Sequence, residues 1–337
     1  MRPTNNTLIE VSVIIPCYNE GETIQLLLQA LLEQTYPSTK MEVVIADALS
    51  EDDTREKIAQ FAQEHSDLRI VVVDNPRRTI PAAVNTAAQA AQGTYLVRMD
   101  AHSVPDMEYV ATSIQLLKDG VAENVGGVWE IAPGDESCIA KAIAAAASHP
   151  LGAGDALYRI AKKAAYVETV PFGAFSKAVF EKVGRFDESL LSNEDYEFNT
   201  RIHLNGGKVW LDPRIHSRYF ARKNLRQLAR QYWRYGFWKL KMLKRYPKTI
   251  RWRQAIPPLF VFGVLLFTIL SVFSNFARII LACILGLYLA ILLAFSLFEA
   301  FKRKNLCYIA MVCAITVMHF SWGMGFLYSA VDISREV

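Results

Sequence analysis

Three uncharged stretches in the last quarter of the chain constrain its fold most. Ile256–Ser274 and Ile279–Leu297 are 19 residues each, and Leu306–Val331 is 26, with no Asp, Glu, Lys or Arg in any of them. A helix needs about 20 apolar residues to cross the hydrocarbon core of a bilayer. The pattern therefore predicts about three transmembrane helices over 255–331 rather than buried helices of a soluble core. The link Asn275–Arg278 is so short that a first pair dipping in and returning without a full crossing is also open.

Charge is distributed in blocks around these stretches. Residues 1–213 hold thirty Asp/Glu against eighteen Lys/Arg, whereas Arg214–Arg253 holds fourteen Lys/Arg and no carboxylate. Tyr232, Trp233, Tyr235, Phe237, Trp238, Tyr246 and Trp252 are interleaved with that basic block. Aromatic and basic residues together favour the headgroup zone and anionic lipid. A helix within Asn224–Arg245, lying in the interface, is expected, and 218–254 reads as an amphipathic membrane-interface segment. No nucleic-acid motif accompanies the basic block, so a nucleic-acid partner is not expected. Lys302, Arg303 and Lys304 add a second basic flank, which puts residues 1–253 on the cytoplasmic side of the membrane. The N-terminal MRPTNNTLIE lacks the apolar core of a signal peptide. Five cysteines in 337 residues form neither a disulfide framework nor a CxxC zinc pattern, and reduced thiols are expected.

The acidic part, 1–217, reads as one α/β domain. Val11–Ile15, Glu42–Ala46, Arg69–Val73 and Thr94–Met99 are apolar runs, and helical patterns separate them. Such alternation predicts a Rossmann-like, mostly parallel sheet covered on both faces. Ligands sit at the carboxyl ends of such strands. Those ends are Cys17–Glu20, Asp47–Thr54 and Asp100–His102. No Gly-rich phosphate loop is present, so an anionic ligand has to be held by metal and side chains. Two carboxylate groups also have plainly structural readings. Asp52 suits a cap on the helix after it. Ser192-Asn193-Glu194-Asp195 has the spacing of a capping box, and Glu197 and Arg201 are placed to pair on one helix face.

The segments VSVIIPCYNE, ADALSEDDT, NTAAQAAQGTYLVRMDAHSVP and GRFDESLLSNEDYEFNTRI, in that order, resemble the motifs of the family 2 glycosyltransferases with the GT-A fold, over about 11–217. With the membrane tail, the chain is similar to bacterial exopolysaccharide transferases of the succinoglycan type. The resemblance implies inverting transfer from a nucleotide-sugar donor, taken as UDP-linked, to a lipid-linked saccharide. It assigns Pro16, Tyr18, Glu20 and Asp47 to the nucleotide, with Ala48 where the family has a second Asp.

Asp100 matches the first acid of the family's DxD metal motif, and His102 replaces the second. A divalent cation, Mn or Mg, is thereby implied, and an imidazole suits Mn better. His102 is open to three roles: a ligand, a partner of metal-bound water, or a cation facing phosphate. His216 matches a position that adds a metal ligand in some GT-A enzymes. Asp195 matches the catalytic base, with Glu194 before it. Gln231, Arg234 and Tyr235 resemble the QxxRW motif that contacts acceptor and diphosphate, with Tyr235 where Trp is usual. Phe172-Gly173-Ala174 falls at the acceptor-side loop, while Arg77 and Arg78 read as solvated loop charges.

The expected acceptor is a polyprenyl-diphosphate-linked saccharide at the membrane lipid surface. Two rivals are a polyprenyl-phosphate glycosyltransferase and a non-catalytic nucleotide-binding membrane scaffold. DAHSVP at the metal motif disfavours the first, and Ala48 and His102 are the evidence for the second.

Overall fold

The computed structural model of the protein describes residues 8–154, 156–249 and 251–332; the reading of the N-terminal segment rests largely on residues 1–7, outside these. The chain divides into two compact units. One is Met1–Glu130 with Ala161–Tyr219, and the other is Ile131–Ile160 with Phe220–Val337.

The first unit begins with β1 (Val11–Cys17), α1 (Ile24–Leu32), β2 (Met41–Asp47), α2 (Thr54–Glu64), β3 (Arg69–Asp74), α3 (Ile80–Ala90) and β4 (Tyr95–Arg98). β1 and β2 are buried almost throughout because helices cover both faces, and β3 is only half-buried, as an edge strand is. The order β3-β2-β1-β4 is parallel throughout, with Cys17 beside Asp47 and Asp47 beside Asp74 in register. Three carboxyl-terminal strand ends thus fall at one edge, as the strand-helix alternation predicts.

Beyond β4 the sheet changes character. β5 (Ser103–Pro105), α4 (Tyr109–Lys118) and β6 (Asn124–Ala132) follow; α5 (Cys138–Ala147) and α6 (Pro150–Ala153) interrupt them, before β7 (Ala165–Tyr166), β8 (Ala174–Ser176), α7 (Lys177–Val183), α8 (Glu194–Leu204) and β9 (Val209–Phe220). The sheet order is β3-β2-β1-β4-β8-β6-β9-β5, with β7 on β9. β4–β8, β6–β8, β5–β9 and β7–β9 are antiparallel, so the parallel sheet read from the sequence is one half of a mixed one. β5, β7 and β8 are two or three residues long, too short to show a period.

The second unit is helical. It holds α5 and α6, then α9 (Leu225–Arg245), α10 (Trp252–Leu270), α11 (Asn275–Lys302) and α12 (Met311–Val331). Three of its helical stretches, Trp252–Leu270, Asn275–Lys302 and Leu306–Val331, are long and apolar enough to cross a membrane. The Ala-rich segment 131–160, which the sequence places within 1–217, groups with these helices. The cysteine reading is corrected here. Cys138 and Cys307 form a disulfide between α5 and the turn before α12, whereas Cys17, Cys283 and Cys313 are free. A pair separated by 169 residues leaves no mark in local spacing.

Candidate active site

β1 and β2 each run out into a polar loop, and the two loops are laced together. Ser50 Oγ accepts from the backbone N–H of Asn19 at 2.8 Å, and Asn19 Oδ1 accepts from Glu51 N–H at 2.8 Å. Asn19 takes the left-handed conformation (φ 52°), which an Asn tolerates. Asp52 accepts from Gly21 N–H at 3.1 Å and from both the N–H and hydroxyl of Thr54, the first residue of α2. It stands one residue before the cap position of α2, which is Asp53, yet holds the first N–H of that helix and ties the β1 loop to it. Tyr18 is left 44% exposed, with the Arg78 guanidinium 5.7 Å from its ring centre. Arg78 also lies 3.2 Å from Glu51, and Arg77 pairs with Glu188.

Asp47 is fully buried at the end of β2. Its carboxylate accepts from the Ser50 hydroxyl at 2.5 Å and N–H at 3.0 Å and from Arg55 Nε at 2.5 Å. Arg55 reaches on to Asp74 at 2.6 Å. Three of roughly four lone-pair positions are thus taken within the protein. Asp47 builds the loop 48–54 rather than projecting from it.

The strongest cluster forms at the end of β4, where Arg98 is buried at the sheet centre with its side chain 3% exposed. Its Nη1 donates to Asp195, while Nη2 lies 3.2 Å from Glu194 Oε1 and 3.1 Å from Asp100 Oδ1. The guanidinium also sits 5.4 Å from the centre of the Phe172 ring. Burial opposes its charge, but Asp195, Asp100 and Glu194 outweigh that and hold Arg98 firmly protonated. Asp195 keeps a fifth of its side chain exposed yet is densely surrounded. Burial pushes its carboxyl up to about 8; Arg98 pulls the other way, and the neighbouring charges of Glu194 and Asp100 add to the rise.

The capping-box spacing does not act as a cap. α8 opens at Glu194, with Asn193 in the left-handed conformation (φ 65°) and no side-chain cap bond. The geometry leaves the first-turn carboxylates directed at Arg98. Glu197 does pair with Arg201, Oε1 to Nε at 2.7 Å.

At the next step of the chain, His102 Nδ1 lies 3.0 Å from Glu20 Oε1, and Glu20 Oε2 accepts from the Thr23 hydroxyl at 2.7 Å. A row of rings joins this end of the site to the other. His102 meets Tyr219 at 5.6 Å, Tyr219 stacks on Trp129 at 4.4 Å, and Trp129 meets Phe172 at 5.0 Å.

His216 is not part of this grouping. In the β5–β9 ladder Tyr219 faces Ser103, whereas His216 is three steps further on and lies 3.3 Å from Asp106. At about 3.3 Å per residue, that is roughly 10 Å along the strand. Gln231, Arg234 and Tyr235 are on α9 in the second unit, where Gln231 donates to the Tyr235 hydroxyl at 2.9 Å.

A divalent cation suits one end of the site. Asp100 Oδ1 is buried and makes no hydrogen bond, its distance to Arg98 notwithstanding, and an imidazole stands two residues on. Among the described residues, no three His, Cys, Asp or Glu side chains converge to form a complete cage. Asp100, with His102 beside it, is thus a partial ligand set of the kind completed by phosphate oxygens and water.

Arg98, Trp129 and Tyr219 were not singled out from sequence. Arg98 reads there as one residue within the apolar run Thr94–Met99, and its charge in that run was the available signal.

Comparison with known proteins agrees with this arrangement. The model of glycosyl transferase family 2 matches residues 12–184. The chain is 30% identical to the succinoglycan biosynthesis protein ExoA of Rhizobium meliloti, over 96% of each protein. It is 28% identical to a dolichyl N-acetyl-alpha-D-glucosaminyl phosphate 3-beta-D-2,3-diacetamido-2,3-dideoxy-beta-D-glucuronosyltransferase of Methanococcus voltae, over 94% of this chain and 95% of that one. Its fold matches the mannosyltransferase PcManGT of Pyrobaculum calidifontis, solved with GDP-Man and Mn2+, at a TM-score of 0.64 and 21% identity, covering 92% of this chain and 86% of the other. The chain belongs to glycosyl transferase family 2, and it is a glycosyltransferase of GT-A fold with three apolar, membrane-length helices after its catalytic domain.

Proposed function

We propose that the protein transfers a sugar, with inversion, from a nucleotide sugar of the UDP class to a polyprenyl-diphosphate-linked saccharide at the cytoplasmic face of the membrane. The observation that carries this reading is the single buried guanidinium of Arg98 gathering Asp100, Glu194 and Asp195. The relatives named above, one a succinoglycan protein and one acting on a dolichyl-linked sugar, support the class of product and acceptor.

In this reading, the loop held by Asp47 and the exposed ring of Tyr18, with Pro16 and Glu20, border the nucleotide. Asp100 and His102 would hold a divalent cation, Mn or Mg; when bound it offsets charge on the departing diphosphate. Asp195 takes the proton of the acceptor hydroxyl as that oxygen bonds to the anomeric carbon. The bond from that carbon to the phosphate oxygen breaks on the opposite face, and the nucleoside diphosphate leaves. Proton removal of this kind is worth roughly 10²–10⁴ in rate. Glu194 and Arg98 fix the direction of the Asp195 carboxylate. The wall of Trp129, Tyr219 and Phe172 supports an apolar sugar face. Gln231, Arg234 and Tyr235, on the basic helix, are assigned to the acceptor and its diphosphate. His216 is retained only as a residue beside Asp106, without a metal role in this arrangement.

The test is a panel of nucleotide sugars given to membranes containing the protein, with native lipid extract as acceptor, with and without Mn or Mg. Transfer to lipid is expected with at least one donor, stimulated by cation. Asp195→Asn is expected to abolish transfer while donor binding persists. Turnover on polyprenyl phosphate as sole acceptor would shift the reading to the charging of the carrier itself. Cation-independent transfer would remove the role given to Asp100.

A further inference from the structure

α9 and α12 lie side by side and run in the same direction. Leu228 and Tyr232, early in α9, share a buried cluster with Ala314, Ile315 and Met318, early in α12. At mid-length the backbones touch. A Cβ added to Gly236 would lie 2.0 Å from the carbonyl oxygen of Trp322, and one added to Gly325 would lie 2.3 Å from that of Trp233. Further along, Trp233 and Phe237 meet Tyr328 at 5.5 and 6.2 Å, and Lys241 Nζ lies 3.9 Å from Asp332 beyond the end of α12.

α9 does not cross a bilayer, since its 21 residues include seven Lys/Arg. Each such charge at a helix centre opposes insertion into hydrocarbon. A helix paired with α9 along its length shares its orientation. Two further neighbours of α12, α5 and α6, are too short to cross. His319 Nε2 lies 2.7 Å from the carbonyl oxygen of Leu151 in α6, and α5, in the same cluster, has ten residues, about 15 Å. From Ala314 to Leu327 every residue of α12 is buried or half-buried.

α10 and α11 contrast with this. Phe262, Ile269, Phe273, Phe276, Ile279 and Leu287 are each more than half exposed. α12 meets this hairpin near its base, with Gly323 against Pro257 and Val261, Phe320 5.6 Å from Phe260, and His319 Nδ1 3.1 Å from the Tyr288 hydroxyl. Length does not settle the matter, since 21 residues, about 31 Å, are enough to span. What covers the helix does.

We infer that α12, of the three membrane-length helices, does not cross. It lies with α9 as a two-helix platform on the bilayer surface, the α10–α11 hairpin makes the crossing, and the end of α12 is on the same side as the basic helix. The exposed apolar length of the hairpin contacts acyl chains, and the exposed Arg226, Arg230, Arg234, Lys244 and Arg245 of α9 face anionic headgroups.

The experiment places a topology reporter at two sites of the full chain. Green fluorescent protein, which fluoresces only inside the cell, or alkaline phosphatase, active only outside, is fused after Val337 or inserted after Phe273 in the hairpin turn. The two sites are expected to report opposite sides, with fluorescence at the C-terminal site and phosphatase activity at the turn. Both sites on one side would overturn the inference. As a smaller perturbation, Phe273→Cys and Ala330→Cys are compared in a chain carrying Cys283→Ala and Cys313→Ala, using a membrane-impermeant maleimide on intact spheroplasts. Labelling of Phe273→Cys alone is expected. Labelling of both, or of Ala330→Cys alone, would overturn it. Neither readout depends on glycosyl transfer, so the outcome is separate from the assignment of donor and acceptor.

Discussion

Asp100 and Asp195 meet at one cation: the guanidinium of Arg98 lies 3.1 Å from the first and bonds the second through its other amino group. One lies two residues beyond the end of β4, and the other is the second residue of α8, much later in the chain. Glu194 makes a third carboxylate on the same cation. The surplus of negative charge gives the cleft an affinity for a divalent ion. It also supplies the like-charge repulsion that adds to the rise of the Asp195 carboxyl.

Removing the guanidinium should be costly. Arg98→Gln leaves carboxylates in a buried site without their cation. Breaking a buried ion pair on one side costs about 3–5 kcal/mol. The expected result is a lowered unfolding midpoint and transfer reduced by two orders of magnitude or more. Arg98→Lys should recover much of the stability and little of the activity, because an ammonium cannot span three carboxylates in one plane. Thermal unfolding in detergent and initial rates on the same preparations check both.

The pH dependence follows from the raised carboxyl of Asp195. A base works only when ionised, and burial holds this one near 8. The rate should therefore rise with pH, falling about tenfold for each unit below that value. Glu194→Gln removes one like charge and should move the acid limb of kcat/KM to lower pH. An acid limb that stays in place in that variant would show that Glu194 does not act on the base.

The parallel half of the fold was legible because Val11–Ile15 and Glu42–Ala46 are runs that only a doubly covered sheet accommodates. β5 and β8 were not, since three residues carry no period; β5 is fixed by β9, and β8 by β4 and β6. Asp100 and Asp195 could be assigned by motif, but their common partner could not. The charge of Arg98 within an apolar run is visible in the sequence, but the carboxylates it gathers are not. His216 matched a motif position, and the β5–β9 register set it beside Asp106 instead. The Ala-rich segment 138–147 carries side chains too small and uniform to say what it packs on, and its surroundings became clear only with α12 and Cys307 beside it.

Arg55 should matter for the donor without touching chemistry. It bridges Asp47 and Asp74 and so fixes the loop that follows β2. In Arg55→Ala the buried Asp47 keeps only Ser50 among its described partners. The expected outcome is a donor KM raised about tenfold, equivalent to about 1.4 kcal/mol of binding, with kcat nearly unchanged. Isothermal titration with the nucleoside diphosphate gives the same comparison free of turnover. An equal loss in kcat and kcat/KM would place Arg55 in the transition state instead.

Glycine substitutions give a sharp contrast within the helical unit. In an exposed helix, Gly→Ala stabilises by about 1 kcal/mol, because Ala loses less backbone freedom on folding. Gly286 on α11 has no neighbouring atom within 4 Å of a built Cβ, so Gly286→Ala should be neutral or stabilising. Gly236 on α9 has the Trp322 carbonyl oxygen at 2.0 Å, and backbone cannot swing aside as a flexible side chain can. Gly236→Ala must force α9 and α12 apart, at a cost of about 1–3 kcal/mol for overpacking. The two variants should therefore shift the melting temperature of the solubilised protein in opposite directions, or leave Gly286→Ala unmoved while Gly236→Ala falls. Equal behaviour of the two would mean that the α9–α12 backbone contact is not formed.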